Sequence, residues 1–109
     1  MRVRSSVCVV ALLLSSGLTL ANPLTGDVYA GKIKSQPCVG CHGIPGYFNA
    51  YPSYHVPKVG GQHPEYIVAA LKAYQSKQRA HATMQAQAAT LTEQDMADIA
   101  AFFAGEQKK

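Results

Sequence analysis

The residues of this 109-residue chain best suited to chemistry by type and spacing are Cys38-Val39-Gly40-Cys41-His42. Two thiols with two residues between them, followed at once by an imidazole, form the attachment pattern of c-type haem. The thiols add to the two vinyl groups of one porphyrin, and the histidine sits beneath the iron. One pentapeptide then supplies two covalent anchors, Cys38 and Cys41, and one axial iron ligand, His42. Other uses of a C-x-x-C pair need partners that are missing here. A thioredoxin-like couple follows a strand in a βαβ pattern, and a structural zinc needs further Cys or His at ligand spacing.

A second axial ligand has to come from downstream. Met84 lies in a polar, small-residue stretch where a thioether has little packing purpose. Met96 falls at an apolar helix position and is accounted for as core. Of the histidines, His63 fits a helix cap and His55 lies in a tyrosine-rich loop, whereas His81 is a rival only three residues from Met84. Met84 is assigned, since a thioether opposite histidine raises the reduction potential as electron-transfer haems require. With both axial positions filled by protein, one-electron transfer at the haem edge is the chemistry that remains. A bis-His haem through His81, or an open-site haem acting as sensor or catalyst, is the alternative.

Export accounts for where haem could be attached. Arg2 and Arg4 precede an apolar run from Val7 to Leu14, and Thr19 and Ala21 are small residues placed for cleavage after Ala21. This is the pattern of a secretory signal peptide over residues 1–21, with the working domain over 22–109. Ser15, Ser16 and Gly17 interrupt the run too early for a membrane anchor of about 20 apolar residues. Cys8 would leave with the segment, so that Cys38 and Cys41 are the only thiols of the mature chain and no disulfide framework arises. A periplasmic location follows.

About 88 residues then remain, enough for one domain but few for an apolar core, and a buried macrocycle would make up the shortfall. The formal charge of +4 includes two arginines of the exported segment, so eight Lys and Arg face six Asp and Glu. No basic cluster is dense enough to track a phosphate backbone, which excludes a nucleic-acid partner.

The elements that must position these residues read as helices, with no strand pattern. Gly26-Asp27 opens a first segment, Val28, Tyr29 and Ile33 give it apolar positions, and Gln36-Pro37 stops it. Residues 43–62 hold several Gly and Pro with Tyr47, Tyr51 and Tyr54, and are expected to form a long irregular loop that wraps a cofactor. His63-Pro64-Glu65 starts a helix whose Tyr66, Ile67, Ala70, Leu71 and Tyr74 share a face. A last helix begins at Leu91-Thr92, with Thr92 as N-cap, Asp95 completing a capping-box variant and Leu91 stapling onto Met96. Ile99, Phe102 and Phe103 continue its apolar face, and Gly105 ends it.

Taken in order, Pro57-Lys58-Val59-Gly60-Gly61-Gln62, then Tyr66, Leu71, Tyr74, Arg79 and Met84, and finally the run from Leu91 to Ala100, resemble the small bacterial class I cytochromes c. The resemblance is to monohaem cytochromes similar to one half of the periplasmic dihaem cytochromes of the c-four type. It spans about Gly26 to Ala104. It implies an all-α fold of about four helices around one haem c, the first and last helices crossing where a small residue, Gly31, meets an aromatic, Phe102 or Phe103. It also implies that the carbonyl of Pro57 accepts the His42 N–H and raises the basicity of that ligand. Lys77 departs from the family pattern, which has glycine there, and the helix is expected to run on toward His81 instead. Redox proteins are the implied partners: a donor reductase or dehydrogenase and an acceptor oxidase or reductase, with transient contact to membrane-bound respiratory complexes. Lys58, Lys72, Lys77 and Arg79 are candidates for a basic docking rim, whereas Glu93, Asp95 and Asp98 make the start of the last helix acidic; an ordinary solvated surface is the alternative for each charge. A haem subunit of a larger dehydrogenase would carry the same site.

Overall fold

The computed structural model describes residues 24–106; the expected export segment, with Cys8, lies outside the described residues. In chain order the elements are α1 (Val28–Lys34), α2 (Gln36–His42), β1 (Phe48–Ala50), β2 (Ser53–His55), α3 (Pro64–Gln75), α4 (Ala82–Ala88) and α5 (Glu93–Gly105). α5 is the central element: α1 and α3 both pack on it, α4 leans on α3, and α2 on α1. The core gathers Ile67 and Leu71 of α3, Ala88 of α4, and Met96, Ile99, Ala100 and Phe103 of α5. Met96 is fully buried there, in the packing role its position suggested.

Local signals set the helix ends. The Asp27 carboxylate accepts the Ala30 N–H and caps α1. At α5, Thr92 and Asp95 form the reciprocal capping box, each side chain accepting the other's backbone N–H at 3.1 and 2.9 Å. The first helix ends at Lys34, just before Gln36-Pro37 as expected, but helical structure resumes at once. Ser35 closes α1 and opens α2, and Pro37 sits in the first turn of α2, where its missing N–H has no partner to lose.

Other expectations are corrected. The loop over residues 43–62 contains an antiparallel hairpin, Phe48 opposite His55 and Ala50 opposite Ser53; strands of three residues are too short to show an alternating pattern. The apolar positions of α1 point outward: Val28, Tyr29 and Ile33 are exposed, and the buried residue of α1 is Gly31. The helix is held by close backbone approach, not by an apolar stripe. Lastly, α3 does not run on toward His81. It ends at Gln75, and Lys77 takes a left-handed φ of +61°. That conformation costs a lysine about 1 kcal/mol. Arg79 helps to hold the turn: its N–H donates to the Ala73 carbonyl, and its guanidinium lies 4.8 Å from the Tyr74 ring centre.

Asp98 is likewise not a surface acid. It is 3 % exposed, and its carboxylate accepts from the Asp27 N–H (2.8 Å), Gln94 Nε2 (2.8 Å) and Lys34 Nζ (2.6 Å). Lys34 Nζ also reaches Asp95 at 2.8 Å, so α1 is tied to α5 by charge as well as by contact. The Lys34 ammonium, with the Thr92 backbone and hydroxyl, draws the Asp95 carboxyl down to about 2. The Asp27 N–H, followed by Lys34, lowers Asp98. A depressed folded-state pKa adds stability that is complete above the ordinary Asp value of 3.8 and is lost as the pH falls through the folded value. Denaturant unfolding is therefore expected to show stability dropping between about pH 4 and about pH 2, with a shallower drop in Asp95→Asn.

Candidate functional site

The short helix α2 brings the sequence motif into register. Cys38 and Cys41 are three residues apart and His42 is four from Cys38, the spacings that share one helix face. All three line a cavity of about 410 Å³, within the range of small-molecule and cofactor sites. Ile67 and Leu71 of α3 with Ile99 and Phe103 of α5 give it apolar walls, and Val56, Pro57 and Val59 of the loop after the hairpin contribute a further side.

Met84 lines the same cavity from α4. α2 packs on α1 whereas α4 packs on α3, so the two chemistry-bearing helices are positioned independently around one space. The Met84 side chain is half-buried and touches the core cluster, so it has more packing than its polar neighbours in sequence suggested.

His42 Nδ1 donates to the Pro57 carbonyl oxygen at 2.7 Å. That bond puts the ring hydrogen on Nδ1 and leaves the Nε2 lone pair available to a metal. Burial, and secondarily the neighbouring Cys41, push the Cys38 thiol up, and neither cysteine is in a disulfide. Redox-active C-x-x-C pairs lower the pKa of a thiol, so this environment does not suit a dithiol couple. Among the described residues no three His, Cys, Asp or Glu converge as a metal-ion site, which leaves a structural zinc without ligands. An apolar chamber with two unbridged thiols, an oriented imidazole and a thioether on its walls fits a flat, largely apolar macrocycle with a central metal.

The remaining histidines separate by position. His63 is the exposed N-cap residue of α3, makes no capping bond with its side chain and is not part of the cavity wall. His55 lines the cavity from β2 but is exposed, tilted against Phe48 at 5.9 Å. His81 also lines it, with its Nδ1 accepting the Met84 N–H at 3.3 Å. Of the basic residues, Lys58 and Arg79 border the cavity, whereas Lys72 is paired with Glu93 at 2.7 Å. Tyr54, expected only as part of the cofactor-wrapping loop, has a role that sequence reasoning missed: its hydroxyl is 3.1 Å from that of Thr83 and joins the hairpin to α4. No local signal marks a bond across 29 residues of sequence.

Comparison with known proteins agrees with this chemistry. The cytochrome c family profile matches residues 30–105. Cytochrome c4 of Thiocapsa roseopersicina is 39 % identical over 95 residues, which is 86 % of this chain and 47 % of that protein. The chain thus spans about half the length of the cytochrome c4 relatives it matches. Cytochrome c-554(548) of Halomonas halodenitrificans is 39 % identical over 85 residues, 75 % of this chain and 99 % of that protein. The cytochrome subunit of sulfide dehydrogenase from Chlorobaculum tepidum is 33 % identical over 79 residues, 72 % of this chain and 68 % of that protein. With a family match across most of its length and a C-x-x-C-H helix on the wall of an apolar cavity, the chain belongs to the cytochrome c family, whose cofactor is covalently bound haem c.

Proposed function

We propose that this chain is a one-electron carrier and not an enzyme, with Cys38 and Cys41 as the thioether anchors of one haem c and His42 and Met84 as its axial ligands. The observation that carries the reading is that all four side chains line one cavity although they come from two helices that do not pack on each other. When bound, haem supplies a reversible one-electron iron couple. Pro57 holds the His42 ring by its carbonyl and increases the electron donation of that ligand. Ile67, Leu71, Ile99 and Phe103 exclude water and lower the local dielectric, which together with a thioether ligand favours the reduced form.

The carrier acts in the periplasm after removal of residues 1–21, between a donor reductase or dehydrogenase and an acceptor oxidase or reductase in a respiratory or dehydrogenase-linked chain. Among the described residues no helix is long and apolar enough to cross a membrane. Docking is brief and centred on the cavity mouth, where Lys58 and Arg79 lie. A second reading, a haem subunit of a larger dehydrogenase, is favoured by the relative named as a cytochrome subunit of sulfide dehydrogenase.

The test is an alkaline pyridine haemochrome spectrum of protein produced with its own N-terminus. The expected result is the two-thioether signature, resistant to acid-acetone extraction, changing to the single-thioether form in Cys38→Ala. Extractable haem, or a spectrum unchanged in that variant, would refute the attachment.

A further inference from the structure

His81, three residues from Met84 and on the same cavity wall, is open to reading as a competing ligand. The structure gives it a different occupation. Its backbone is extended (φ −169°, ψ 105°) at the N-cap position of α4, and its Nδ1 accepts the N–H of Met84, the third residue of that helix. The imidazole stands in for the short polar side chains that usually satisfy an N–H in this position, which has no partner within the helix. The ring is held on two sides: edge-on to Tyr54 with centroids 4.7 Å apart at 81°, and to Tyr74 at 6.4 Å and 74°.

α4 needs such support. Seven residues are far below the length at which a helix is stable alone, and no apolar stripe compensates. Its far end is secured, since Ala88 is fully buried and its carbonyl accepts Gln75 Nε2 at 3.0 Å. The end that carries Met84 depends on side chains: His81 on the Met84 N–H, Tyr54 on the Thr83 hydroxyl at 3.1 Å, and Gln85 Nε2 on the Arg79 carbonyl at 2.9 Å. His81 is the one of the three that bonds Met84 itself.

We infer that His81 is a positioning residue for Met84: by capping α4, and clamped by Tyr54 and Tyr74, it holds the first turn of that helix so that the thioether stays directed into the cavity. The inference rests on the reading of Met84 as axial ligand. It makes His81 a support of the Met84 bond and not a rival to it.

The experiment uses the haem-bearing protein in its oxidised form and imidazole as a probe that takes the iron position Met84 vacates. Two signals are read: the weak far-red absorption band of thioether-ligated ferric haem, and the apparent affinity for imidazole. Loss of an N-cap is expected to raise the detached population, and so the imidazole affinity, about fivefold in His81→Ala, with the band fading at lower temperature. His81→Asn restores an N-capping side chain and is expected to return the affinity to within about twofold of the unsubstituted protein. Tyr54→Phe keeps the ring edge on His81 but deletes the bond to Thr83, and is expected to raise the affinity about twofold. A far-red band present in the unsubstituted protein, together with an imidazole affinity unchanged in His81→Ala, would overturn the inference alone. Absence of that band from the unsubstituted protein would overturn the axial reading of Met84, and the inference with it.

Discussion

Met84→Ala is expected to extinguish the far-red band of the oxidised protein and to lower its midpoint potential by on the order of 0.1 V or more, within the about 0.8 V over which axial ligands set haem potentials. As an axial ligand the thioether would be a soft donor that stabilises the reduced iron. With it removed, water or a nitrogen ligand takes its place and the oxidised state gains. Folding should survive the change. Met84 is only half-buried at the edge of the core, so truncation costs about 2 kcal/mol, the low end for methionine. Met96→Leu is the matching control, because Met96 is fully buried in the core and is not part of the cavity wall. It should leave band and potential unchanged. Optical redox titration of the three proteins checks both statements, and a band that persists in Met84→Ala would remove the thioether from the iron.

The candidate site was largely legible in the sequence because its chemistry is local. Cys38, Cys41 and His42 sit within five residues, and a single helical turn is enough to align them. The start of α5 was legible for the same reason, its capping box being contained in Thr92 to Asp95. Whatever depended on distant partners was not. α4 has no apolar periodicity and is fixed by Tyr54, Gln75 and the burial of Ala88, none of which its own seven residues announce. The burial of Asp98 is decided by Lys34 and the Asp27 N–H, 64 and 71 residues away. For α1 the apolar positions misled, since the surface that meets α5 is defined by what its glycine lacks. At Lys77, where the resemblance implies glycine, the backbone is left-handed in spite of the side chain, because the surrounding hydrogen bonds outweigh the preference of one residue.

That missing side chain leads to the largest expected effect on stability. A Cβ placed on Gly31 would overlap the Asp98 carbonyl oxygen and lie 2.9 Å from the Phe102 Cβ. The first obstacle is backbone in the middle of α5, so no rotamer change relieves it and the two helices have to separate. Separation would also pull Lys34 and the Asp27 N–H away from Asp98, leaving a buried carboxylate short of partners. Gly31→Ala is therefore expected to cost about 3 kcal/mol, which for a domain of this size lowers the melting temperature by roughly 10–25 °C. Gly105→Ala, at the end of α5 with nothing within 4 Å of the added carbon, should stay close to the unsubstituted protein. Thermal unfolding of the haem-bearing forms separates the two. Because α5 also carries Ile99 and Phe103 on the cavity wall, displacement of the helix should disturb the haem surroundings too. Gly31→Ala would then weaken the far-red band at temperatures where the protein is still folded. Equal melting temperatures for the two variants would show that the α1–α5 crossing tolerates a side chain and that this glycine does not set the distance between the helices.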